Sequence, residues 1–72
     1  MSAAVESTDA KWEAYYAARA LAVRISAAHN RALAAAARLH PLTSHRDFAV
    51  AYEALAADCD RIAAELEAEV AA

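Results

Sequence analysis

A chain of 72 residues with no glycine, one proline, one cysteine and 25 alanines has room for one small domain. It offers little material for hairpin turns, phosphate loops or a Rossmann crossover. A lone cysteine excludes an internal disulfide and a cysteine-rich zinc module, and the net charge of −3 gives no general affinity for nucleic acid.

Residues 1–8 carry no anchoring apolar pattern and read as a flexible tail. They also lack the basic stretch and apolar run of a secretory leader. The longest apolar run anywhere, Ala32–Ala37, is far short of the ~18–20 residues that a membrane span needs. A cytoplasmic location is therefore expected.

The first helix is expected over residues 9–39. Thr8 or Asp9 can cap it, Asp9 and Glu13 favour the positive end of its dipole, and nothing interrupts it before Pro41. Residues 40–44, His40-Pro41-Leu42-Thr43-Ser44, form the turn. Ser44 and Asp47 resemble a capping box for a second helix over residues 45–70. The fold class is all-α: an antiparallel two-helix hairpin over the whole chain, pairing with a second copy into a four-helix bundle.

Helix two repeats apolar residues at steps of four and three: Phe48, Tyr52, Leu55, Cys59, Ile62 and Leu66. That is a heptad seam. The matching stripe of helix one is Ala14, Ala18, Leu21, Ile25, Ala28, Ala32, Ala35 and Leu39. Pairing residues whose numbers sum to 87 sets Leu39 against Phe48, Ile25 against Ile62 and Leu21 against Leu66, with alanines opposite Leu55, Tyr52 and Cys59. The same register brings Arg24 to Glu65 and Arg31 to Asp58. Opposite charge in the two halves, +3 over residues 9–40 and −5 over 41–72, agrees with that pairing.

So thin an interface leaves a monomer short of buried apolar surface. Trp12, Tyr16 and Val23 on helix one, and Val50 on helix two, fall away from the expected seam, on stripes suited to contact between protomers. With Arg19, they are the residues expected at a self-association or partner interface. Aromatics and arginine are the types enriched at binding hot spots.

The reactive side chains do not converge in sequence. His40 and His45 straddle the turn, and Cys59 falls at a core position near His29 with no orienting third group. Glu53, Asp60 and Glu67 recur every seven residues without a Glu-x-x-His repeat and read as a solvated face. No catalytic residue, metal ligand or cofactor is expected. The function expected is a non-catalytic interaction module: an adaptor, regulator or inhibitor of another protein. One alternative is a nucleic-acid-binding bundle using Arg24, Arg31 and Arg38. A weaker one is a small-ligand or metal-binding bundle around His29 and Cys59.

Overall fold

The computed structural model describes residues 3–71, with side chains from residue 9 onward. Two helices, α1 (Ala3–Arg38) and α2 (Thr43–Ala71), pack along each other as a hairpin 62 Å long. No strand occurs among the described residues.

Both helices start earlier than the capping signals imply. Alanine, the best helix former, and the absence of glycine or proline carry α1 back to Ala3, so that Asp9 lies inside it. Of the expected tail, residues 3–8 are helical, while Met1 and Ser2 lie outside the described residues. The turn is tighter than expected. Leu39 N and His40 N donate to the carbonyls of Ala36 and Ala37, closing the last turn, and Leu42 then takes the N-cap position, accepting from Arg46 N at 3.2 Å. Ser44 falls inside the first turn of α2 and Asp47 just beyond it, so neither caps the helix. The turn is held instead by His40, whose Nδ1 accepts from Leu42 N at 3.1 Å.

The helix faces that meet are the main correction. All eight residues of the expected α1 seam are exposed, Ile25 at 62% and Leu39 at 87% among them. Among the described residues the fully buried ones are six alanines, Ala20, Ala27 and Ala34 on α1 and Ala49, Ala56 and Ala63 on α2. Half-buried residues complete each stripe: Tyr16, Val23, Asn30 and Ala37 on α1, and Tyr52, Cys59, Leu66 and Val70 on α2. Together they step by four and three along both helices, so the hairpin is an antiparallel coiled coil with alanine at a, except Val70, and larger residues at d, except Ala37. Small residues at a allow the backbones to approach closely. Asn30, the polar residue at d, satisfies itself by donating from Nδ2 to the Ser26 carbonyl at 2.9 Å.

The axial register stays close to the expected one. Ala17, Ala20 and Leu21 line one groove with Glu67 and Val70, and Leu33 and Ala37 line another with Phe48 and Tyr52. It is the rotation of α1 about its own axis that differs. Tyr16 falls at the level of Val70, so the turns of α1 before it project past the end of α2.

Candidate functional site

With alanine stripes at a, the positions flanking the seam have distinct characters. On one flank, the e positions, Arg24, Arg31 and Arg38 of α1 stand beside Glu67, Asp60 and Glu53 of α2. Arg24 donates to Glu67 through Nη2 at 2.6 Å and Nε at 3.2 Å, and to Asp60 through Nη1 at 3.1 Å. Arg31 also pairs with Asp60, and Arg38 with Glu53. The heptad of carboxylates that reads as a solvated face is thus the partner row of the arginines. Arg24–Glu65 and Arg31–Asp58 do not form. Glu65 and Asp58 instead meet Arg61 on their own helix, at 3.0 and 3.9 Å.

These contacts set the charges of the row. The hydrogen bond from Arg31 is the largest influence lowering the pKa of Asp60, and that from Arg24 does the same for Glu67. Arg24 is raised in turn, chiefly by its bond to Glu67. All three stay solvated, so the row orients the helices more than it stabilises them.

The opposite flank, the g positions, is apolar over its half nearer the turn. Phe48, Leu55 and Ile62 of α2 stand here 54%, 50% and 38% exposed, with Leu33 of α1 half-buried beside them. Toward the turn, an open groove of about 210 Å³ lies between Leu33, Ala37, His40, His45, Phe48 and Tyr52. The rings of His40 and His45 stack at 4.1 Å, and Phe48 meets His45 edge-on at 6.1 Å.

The expected interface residues divide. Trp12 and Arg19 extend the g flank toward the free end of α1. Tyr16 and Val23 sit half-buried in the hairpin seam, because the stripe that looks like the back of α1 is its inner face. Val50 is exposed on the other side of α2. Trp12 and Tyr16 stack at 6.1 Å and both meet Tyr15 edge-on, a residue the seam argument leaves out. Arg19 lies over the Tyr15 ring and donates to its hydroxyl at 3.1 Å. The signal for Tyr15 is its spacing of three and four from Trp12 and Arg19, which places all three on one side of the helix.

His29 is exposed on the outer edge of α1, while Cys59 is a free, half-buried thiol of the seam. Among the described residues no three His, Cys, Asp or Glu side chains gather as a metal site would require. None of the described helices is long and apolar enough to cross a membrane.

Comparison with family models, with curated proteins and with solved structures finds no match. The surface has to speak through its chemistry.

Proposed function

We propose that this chain is a non-catalytic protein–protein interaction module, a self-associating helical hairpin that acts as an adaptor, regulator or inhibitor of another protein. The carrying observation is the asymmetry of its two flanks. The e side is closed by arginine–carboxylate pairs, and the g side leaves Phe48, Leu55 and Ile62 open to solvent. Among the described residues no large side chain is fully buried within the single chain. A row of large exposed apolar side chains on one face marks an interaction surface.

The arginine row argues against the nucleic-acid reading. Each of Arg24, Arg31 and Arg38 already has a carboxylate partner, and phosphate would have to displace it. The test combines sedimentation equilibrium over a concentration series with affinity capture on the purified chain. Self-association or capture of a defined protein, lost in Leu55→Glu while the helical circular dichroism persists, supports the reading. A monomer at all concentrations that captures nothing, and shifts RNA or DNA at low salt, overturns it.

A further inference from the structure

The g flank can be read as half of a second coiled-coil seam. On α1, Arg19, Ala22, Ser26, His29, Leu33 and Ala36 recur at steps of three and four, and none of them is fully buried. On α2 the same steps run through Phe48, Ala51, Leu55, Asp58, Ile62 and Glu65, with Glu69 following, all exposed. The two half-seams differ in size and in charge. That of α1 is small at Ala22, Ser26 and Ala36 and carries the basic Arg19, while that of α2 sets Phe48, Leu55 and Ile62 beside the acidic Asp58, Glu65 and Glu69.

From this complementarity we infer that the occupant of the flank is a second copy of the chain, related by a two-fold axis along the hairpin, with both turns at one end. The inference rests on the self-associating reading above. In this arrangement each α1 lies antiparallel to the other copy's α2 at nearly the axial register already used within the hairpin. Leu33 then meets Leu55 of the second copy, Ser26 accommodates Ile62, and Ala36 meets Ala51. Arg19 comes to Glu69, and His29 to Asp58.

The reversed arrangement, with turns at opposite ends, stacks α2 on its own copy. It would crowd Phe48, Leu55 and Ile62 together and set Asp58, Glu65 and Glu69 against like charge. Size supports the same occupant. A face about 33 Å long, the rise of roughly 22 residues, and about 20 Å wide, two helix diameters, covers roughly 650 Å² per partner. That approaches the ~800 Å² per partner of a standard interface. The square bundle that results buries alanine stripes within each chain, and between chains a seam in which Leu33 packs on Leu55 and Ile62 fits over Ser26.

The experiment uses two full-length chains in a Cys59→Ser background, one carrying Ala36→Cys and the other Ala51→Cys. Both positions are exposed alanines, so the changes leave the hairpin core untouched. The chains are mixed, oxidised and separated without reductant, and the mass of each unoxidised chain is measured by sedimentation. The expected product is the mixed 36–51 disulfide dimer, in excess over either homodimer by about tenfold. Separately, Leu55→Glu in the otherwise unaltered chain raises the dimer dissociation constant by about 30-fold or more, as loss of a hot spot does. Predominant 36–36 or 51–51 products overturn the orientation and leave self-association standing. A dimeric mass without any disulfide product overturns the face. A monomeric mass overturns the self-association on which both depend.

Discussion

Arg24 and Glu67 are joined by two bonds of one guanidinium to one carboxylate, 2.6 Å from Nη2 and 3.2 Å from Nε. This bidentate geometry fixes orientation as well as proximity. Because Arg24 also reaches Asp60 at 3.1 Å, and Arg31 shares that carboxylate, four residues along the e flank form one network.

The network makes a specific statement about pairing. A double-mutant cycle of Arg24→Ala with Glu67→Ala should show coupling that shrinks at molar salt, where exposed pairs are screened. The same cycle with Glu65→Ala should show none, since Glu65 engages Arg61. Urea denaturation of the two cycles is the check; equal coupling in both would contradict the geometry.

Acid should weaken the hairpin through the same residues. Asp60 and Glu67 are held below their ordinary values of 3.8 and 4.5 by hydrogen bonds from Arg31 and Arg24. Between the folded and unfolded pKa of each group the unfolded chain binds more protons, so stability rises with pH there. Their contribution is complete above about pH 5 and is lost as pH falls through 4.5, then 3.8, and finally through the depressed folded values. The urea midpoint measured from pH 7 downward should fall over this range. Glu67→Gln should show a shallower fall, and parallel curves for the two proteins would rule the explanation out.

The alanine seam predicts a contrast between neighbours. Ala27 is 1% exposed, whereas Ala28 is on the outside. Ala27→Leu should cost about 1–3 kcal/mol, the usual penalty of overpacking, because it forces the backbones apart. Ala28→Leu, a change of equal size on an exposed face, should fall within about ±0.5 kcal/mol. Chemical denaturation of the two variants measures the difference.

At the turn, His40→Ala removes the acceptor of the Leu42 amide. The bond is exposed, so the loss should be modest, about 0.5–1 kcal/mol. Amide hydrogen exchange at Leu42 should speed up in the variant while exchange at the buried Ala56 stays unchanged.

How much of this was legible in the sequence differs from feature to feature. The proline at 41 and the unbroken alanine-rich stretches settle two helices and one turn, since helix propensity and the pre-proline restriction act over a few residues. The short turn then makes the helices antiparallel. Half of the α2 heptad also reads correctly: Tyr52, Cys59 and Leu66 do face α1. The other half, Phe48, Leu55 and Ile62, lies exposed at the edge of the hairpin. Bulky residues advertise a seam without saying whether its partner is in the same chain.

The faces of α1 were decided only by the tertiary packing. With alanine on every side of the helix, any stripe offers methyl groups, and a hydrophobic pattern cannot rank one above another. Larger residues such as Leu21 and Ile25 therefore draw the reading toward a stripe that the fold leaves exposed. Packing selects the stripe of Ala20, Ala27 and Ala34 because it meets Ala49, Ala56 and Ala63 closely and brings three arginines level with three carboxylates. Local propensity is a property of each helix alone. The choice of face depends on how two surfaces fit, and that becomes visible only when both are in place.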